Sequence, residues 1–302
     1  MAASAAVAAV GALLVACWPV TTGQAAFPGA NGRIVFQRES VAGDHTQADL
    51  FTVRPDRLGL RRLTATPDFN EFGPAWSADG GRIAFWRTRA PFGPGSVWVM
   101  NGDGSGRRRL TSGADARDPA WNPAGTRLVY QQDFDLFTLR VSDGRGRRQL
   151  TSEPSLDFEP AWAPGGRRIA FTRGFATGDV GDIYLLHRRT GTISRVTHSP
   201  AYDHQVAWAP HGRWLVFERD FTSSSAIFIV RPNGTGLRRL TPGDHFDNSP
   251  AWSPNDRRIV LGSDRGATLP DLWIMRRDGN ALHRLLRLPG SAETSPDWQP
   301  VQ

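Results

Sequence analysis

The chain has 302 residues, 39% of them hydrophobic and 22% charged, with 32 Gly, 22 Pro and a formal net charge of +7. That Gly and Pro content argues against a helical protein and suits many short strands joined by turns. The charge does not point to nucleic acid: all 36 basic residues are Arg, spread once or twice per repeat, with no run or stripe that would follow a phosphate backbone.

Ala2 to Ala16 is an apolar stretch of the length of a signal-peptide core and too short to cross a bilayer comfortably. Small residues follow, and both Gly23-Gln24-Ala25 and Gln24-Ala25-Ala26 fit a signal peptidase. Residues 1–26 are therefore expected to be an export signal and 27–302 the mature domain, placed outside the cytoplasm. No basic n-region precedes the apolar stretch, which leaves a start codon further upstream open. The only cysteine closes Leu14-Val15-Ala16-Cys17, which is similar to a bacterial lipobox. A lipid anchor is thus the alternative to simple cleavage and the only membrane association expected, although Trp18 is an awkward residue after an acylated Cys. Either way the mature domain has no disulfide, and its roughly 270 residues must hold together by core burial, for which that length suffices.

From Gly32-Arg33-Ile34-Val35-Phe36 onward one unit repeats. Its marker is a Trp preceded by a small residue: Pro74-Ala75-Trp76, Pro119-Ala120-Trp121, Pro160-Ala161-Trp162, Val206-Ala207-Trp208, Pro250-Ala251-Trp252 and Pro296-Asp297-Trp298. The Trp residues are 45, 41, 46, 44 and 46 positions apart, the period of four-stranded propeller blades. After each Trp comes a tight turn such as Ser77-Ala78-Asp79-Gly80, then a β-rich run such as Arg82-Ile83-Ala84-Phe85 or Arg168-Ile169-Ala170-Phe171. A variable loop leads to a third apolar strand such as Val97-Trp98-Val99-Met100. A hairpin such as Asp103-Gly104 or Asn233-Gly234 supplies the positive φ of a tight turn, and the outer strand closes on Leu-Thr, as in Leu63-Thr64 and Leu240-Thr241. The strands are apolar on both faces, as blades stacked between neighbours require, so the Trp is expected in the core.

The domain begins mid-unit, without a Trp strand, and ends on a lone Trp strand at Trp298. The last strand is therefore expected to complete the first blade. The predicted fold is all-β: a six-bladed β-propeller of four-stranded blades, closed by the C-terminal strand and without a free edge, as a monomer.

The unit Pro-Ala-Trp-Ser-Pro-x-(Asp/Gly)-x-Arg-Ile-x-Phe, followed by Asp-Leu-Trp-x-Met and Arg-Arg-Leu-Thr, resembles the WD-like repeat of TolB-type propellers. Pro250 to Ile259 is the nearest copy, and the resemblance covers about residues 31–302. It implies the fold more than an activity, because its residues are those of turns and core. The small α/β domain that precedes the propeller in TolB is expected to be absent. Similar repeats precede the catalytic domain of prolyl-oligopeptidase-like enzymes, but this chain has no Gly-x-Ser-x-Gly elbow.

The segment before each Trp strand and the loop between second and third strands share one face, which carries the long loops (37–48, 86–95, 172–181, 218–225 and 262–270). An acid recurs there three residues before the motif Pro or its equivalent: Glu71, Asp157, Asp203, Asp247 and Glu293. In the unit of Trp121, Asp115 and Asp118 flank that position. Arg38, Arg87, Arg173 and Arg219 follow the second strand. Two readings stay open: a structural girdle of acid–Arg pairs, or an anionic ring admitting a cation or basic peptide. His204 beside Asp203, and His245 near Asp247, break the symmetry and are the candidates for a metal, although neither has tight ligand spacing. Phe69, Phe72, Phe158, Tyr202 and Phe246 crowd the same rim.

The expected function is binding or scaffolding at this rim, with an envelope protein, peptide or cell-surface glycan as partner and no cofactor. The alternative is a metal-dependent polysaccharide lyase or hydrolase, since the oligogalacturonate lyases have similar repeats. That family relies on several channel His, where this rim offers mainly acids.

Overall fold

The computed structural model describes residues 26–42, 45–89, 93–152, 154–175 and 181–302; of the expected export signal, residues 1–26, all but Ala26 lies outside them, Cys17 included. Among the described residues, twenty-four strands form six four-stranded antiparallel sheets arranged as a propeller. From the inner strand outward, the first blade is Ser291–Val301, Ala30–Ala42, His45–Val53 and Arg61–Arg62. The second is Phe69–Trp76, Arg82–Arg89, Ser96–Asn101 and Arg108–Arg109; the third is Ala116–Trp121, Arg127–Gln132, Asp135–Arg140 and Arg148–Gln149. The fourth is Ser155–Trp162, Arg168–Phe175, Asp182–His187 and Ile193–Arg195. The fifth is Tyr202–Trp208, Leu215–Asp220, Ser225–Val230 and Arg238–Arg239, and the sixth is Asp247–Trp252, Arg258–Ser263, Asp271–Arg276 and His283–Leu286. The fold and its closure by the C-terminal strand are those read from the repeat. Within 37–48, however, the chain stays extended to Ala42 and returns at His45, because the two strands keep pairing residue by residue as far as Ala42 opposite His45.

The six marker Trp side chains are buried between blades. Trp121 and Trp208 donate their indole N–H to the carbonyls of Ala75 and Ala161 in the preceding blade, at 3.0 and 3.1 Å. In two blades the Arg that opens the second strand lies over the next blade's Trp, Arg82 over Trp121 at 4.7 Å and Arg168 over Trp208 at 5.1 Å. This placement accounts for part of the evenly spaced Arg content: those guanidinium groups serve the blade contacts. The Leu-Thr signature has an equally local cause. Thr64, Thr111, Thr151, Thr197 and Thr241 each accept at Oγ1 the backbone N–H of a third-strand residue, Leu50, Val97, Leu136, Ile183 and Ile227, at 2.9–3.0 Å. A two- or three-residue outer strand cannot satisfy that donor with its backbone alone, and the hydroxyl does so.

The closing strand holds two blades at once. It pairs with Ala30–Ala42 from Val301 opposite Ala30 to Ser291 opposite Ser40. It also reaches the second blade, where Gln299 Nε2 donates to Gly80 O at 2.8 Å and Asp297 Oδ2 accepts the Trp76 backbone N–H at 2.6 Å. Asp297 stands where the other five units have Ala, and this bond explains the exception. Burial pushes its carboxyl up to about 7, against the pull of the Trp76 and Trp298 N–H donors and with no charged side chain contributing. Glu71 and Glu293 are likewise raised to about 7, by burial first. A folded-state value above the unfolded one gives stability that is present below about pH 4 and lost as pH rises through 7. The melting temperature is therefore expected to rise when pH is lowered from 8 to 5.5. Asp297→Asn, which keeps the acceptor, should flatten that rise; an unchanged slope in calorimetry would remove Asp297 from the account.

At the face opposite the rim, Ala26 and Phe27 are buried. Ala26 donates its N–H to Trp208 O in the fifth blade at 3.2 Å, and Phe27 packs with Ala75, Ala120 and their neighbours in the second and third. The segment thus crosses the lower end of the channel, which directs attention to the rim.

Candidate functional site

Each inner strand carries a bulge just before its Pro-Ala-Trp motif or equivalent. The ladder slips there, for example between Phe158 and Ala161, and the preceding residue adopts φ of 51–54°. Those residues are Gly73, Asp118, Glu159, Gln205, Ser249 and Ser295. Five are not glycine, and holding a side chain in this conformation costs on the order of 1 kcal/mol each, so the surrounding structure must over-determine it. The bulge also breaks the alternation of the strand and aims the side chain along the channel wall toward the next blade. Glu159 Oε2 accepts the Gln205 N–H at 2.7 Å, and Gln205 Oε1 accepts the Ser249 N–H at 2.6 Å. In the first blade Gln37, from the second strand, accepts the Gly73 N–H at 3.1 Å.

The recurring rim acids have a different setting. Glu71, Asp157, Asp203 and Glu293 sit directly across the ladder from Arg87, Arg173, Arg219 and Arg38. Asp157 and Arg173 form a bidentate pair at 2.7 and 2.9 Å, and Asp203 and Arg219 another at 2.5 and 2.8 Å. Glu71 lies 3.1 Å from Arg87 Nε, while Glu293 is 3.8 Å from Arg38 and takes a closer bond from Ser291 Oγ at 2.5 Å. Asp247 is held by Arg265 at 2.6 Å and by Ser263 at 2.6 Å. Arg265 lies beyond the second strand, in the loop after Ser263. These acids are buried with their counter-charges, and in this geometry they tie inner to second strand.

His245 is half-exposed and pairs through Nδ1 with Asp244 at 2.8 Å; its backbone carbonyl accepts the Ser225 N–H at 2.9 Å. Among the described residues no contact joins it to His204. Of the rim aromatics, Phe72 stacks on Trp86 with centroids 4.6 Å apart, Phe69 lies under Arg87 at 3.9 Å, and Phe158 meets Phe134 edge-on at 6.0 Å.

His204 alone of the four metal candidates faces ionisable groups that have no Arg partner. Its Nε2 is 3.2 Å from Asp220 Oδ2 and 3.7 Å from Glu218 Oε1, and its Nδ1 is 3.8 Å from Glu159 Oε1 in the preceding blade. The Tyr202 ring covers it, centroid to centroid 4.9 Å. Burial opposes a charged imidazole, but Glu218, Asp220 and Glu159 together hold His204 well above its ordinary value. Glu218, also buried, is pushed up to about 8 by desolvation despite the opposing pull of His204. Asp118, one blade further along from Glu159, is fully buried and neither carboxyl oxygen has a hydrogen-bond partner. Burial, and then the charge of Glu159, raise its carboxyl well above the ordinary range; the Trp86 indole comes near it without hydrogen-bonding geometry.

Sequence reasoning named Asp118 and His204 but not Glu159, Glu218 or Asp220. Glu159 had a visible signal: its position varies in chemistry from Gly to Asp, Glu, Gln and Ser while the motif that follows it repeats.

A family model described as TolB beta propeller domain matches residues 116–302. The Tol-Pal system protein TolB 1 of Novosphingobium aromaticivorans is 41% identical over 71 residues, which is 24% of this chain and 15% of that protein. The structure of TolB from Acinetobacter baumannii superposes with a TM-score of 0.77 at 20% identity, over 89% of this chain and 67% of that one. An oligogalacturonate lyase in complex with manganese gives 0.57 at 13% identity, over 87% and 75% of the two chains. At these identities the structural likenesses are of fold alone.

Proposed function

The chain belongs to the TolB beta propeller domain family, and on that premise we propose that it is an extracytoplasmic binding propeller that holds a segment of an envelope protein over the channel mouth. The observation that carries this reading is where its exposed aromatics lie. Among the described residues, Phe134, Phe221 and Phe246 are the aromatic ones of the exposed large hydrophobics, at 51%, 40% and 40%, and all three stand on the rim face, on three blades. Exposed Phe in that arrangement is the anchor chemistry of protein recognition, not of a solvated loop. Beneath them the mouth is acidic: Asp118, Glu159, Glu218 and Asp220 lack the Arg partners that the other rim acids have. A peptide segment presenting apolar side chains complements the three Phe, with Asp220, whose side chain is 43% exposed, the acid of the four that a partner reaches. The Novosphingobium relative is named as a Tol-Pal system protein, which supports a protein as the class of partner, and the expected export signal supports the compartment.

The test begins from an envelope partner captured by the purified chain. Replacing Phe134, Phe221 and Phe246 together by Ser should abolish capture of that partner with the melting temperature unchanged. Replacing Leu58, Leu60 and Leu237, exposed on the opposite face, should leave it intact. Capture indifferent to the rim substitutions, or lost with the opposite set, would overturn the reading.

A further inference from the structure

The cluster around His204 lacks a counter-charge. Glu159 and Glu218 are buried, and among the described residues one imidazole is the only cationic side chain that meets them, whereas the neighbouring Arg173 and Arg219 are committed to Asp157 and Asp203. Buried carboxylates in excess of their cations are costly unless something neutralises them. His204 Nε2 is buried and has no hydrogen-bond partner at good geometry, although two carboxylates face it. One wall away, both oxygens of the fully buried Asp118 are also unpartnered.

We propose that His204 Nε2, Glu218 Oε1 and Asp220 Oδ2 form a binding site for one divalent cation of the zinc or manganese class at the channel mouth, with Glu159 orienting the imidazole from its far side. The spacing suits such an ion. Two ligands about 2.1 Å from one metal at a tetrahedral angle are about 3.4 Å apart. The Nε2 distances of 3.2 Å to Asp220 and 3.7 Å to Glu218 bracket that value, and the three ligand atoms lie within 4.8 Å of one another. His204 and Glu218 are opposite each other in the ladder, and Asp220 is two residues on, so strand pairing itself places the ligands on one side. Glu159 stands on Nδ1, 3.8 Å away, with its other oxygen fixed by Thr172 Oγ1 and the Gln205 N–H. A carboxylate behind a ligating imidazole sets its tautomer and raises its basicity. Glu218 is steadied in the same way, its Oε2 accepting the Ser249 N–H at 3.2 Å. One nitrogen and two carboxylates are too few oxygens for calcium, which takes six to eight, and suit a borderline ion with open positions for water or a partner's group. The side chain of Asp220 is 43% exposed and supplies the path of entry. The set differs from the one expected from sequence: Asp203 and Asp247 are consumed by Arg219 and Arg265.

The full chain, stripped with a chelator and freed of partner, is titrated with Zn2+, Mn2+ and Ca2+ by calorimetry, and bound metal is counted by elemental analysis. One Zn2+ or Mn2+ per chain is expected, with Ca2+ at least tenfold weaker. His204→Ala and Asp220→Asn should each abolish stoichiometric binding. Glu159→Gln should keep the stoichiometry and weaken affinity about 10- to 100-fold, as loss of a supporting carboxylate does. His245→Ala should change nothing. Asp220, at the surface, keeps the test decisive if His204→Ala fails to fold. Absence of stoichiometric metal, binding unaltered in Asp220→Asn, or binding lost only in His245→Ala would overturn the site. Because no partner is present, failure here is separate from failure of the rim-binding reading.

Discussion

Removal of Pro296–Gln302 is expected to lower the melting temperature by more than 10 °C and to make the protein associate. The deleted segment carries Trp298, buried among Ile34, Phe36 and Val53 of the first blade and Val260 and Leu272 of the sixth. Truncating a buried Trp costs about 3–5 kcal/mol by itself. The deletion also removes the ladder from Val301 opposite Ala30 to Asp297 opposite Val35, and the bonds from Asp297 and Gln299 to the second blade. For a domain of this size each kcal/mol shifts the melting temperature by about 2–4 °C. The first blade would then offer an unpaired edge at Ile34 and Val35, a template for pairing with a second chain. Differential scanning calorimetry with light scattering checks both parts. Trp298→Ala should give a smaller loss without association, since the backbone ladder remains. A truncated protein that melts within a few degrees of the full chain would show that closure contributes little.

Arg173→Ala should be nearly as damaging, at about 3–5 kcal/mol, because it leaves the wholly buried Asp157 without its bidentate partner. The pair Arg140–Asp143 is the control: both side chains are well exposed, the distance is 2.8 Å, and its loss should cost at most about 1 kcal/mol. Replacing both buried partners, as Asp157→Asn with Arg173→Met, should recover much of the loss, since no uncompensated charge remains. Urea unfolding of the single and double variants measures this. A single variant as stable as the parent would remove the girdle from the list of what holds the rim. The same experiment bears on function, because a rim that loses this pair should also lose the geometry of Glu159, two residues along the same strand.

Much of the molecule is legible in the sequence. A period in the mid-forties, a Trp fixed in each unit and a lone Trp strand at the end are enough to specify six blades and their closure, because each follows from local strand and turn chemistry repeated in register. The acid–Arg girdle was also readable as one of two alternatives: residues opposite each other in a hairpin, such as Asp203 and Arg219, are fixed once the turn between their strands is known. What the sequence could not decide was which alternative holds, since a pairing and an open anionic ring use the same residues.

The cluster at His204 depended on tertiary structure throughout. Glu159 and His204 belong to different blades, 45 positions apart, and no strand or helix period relates them. They meet because a bulge turns Glu159 out of its strand's alternation and the propeller's curvature brings neighbouring inner strands together at the mouth. The sequence by itself therefore determined the scaffold, whose contacts are repeated and mostly local. The closing of the ring decided which charges are satisfied and which are left facing one another, because that depends on the distance between blades.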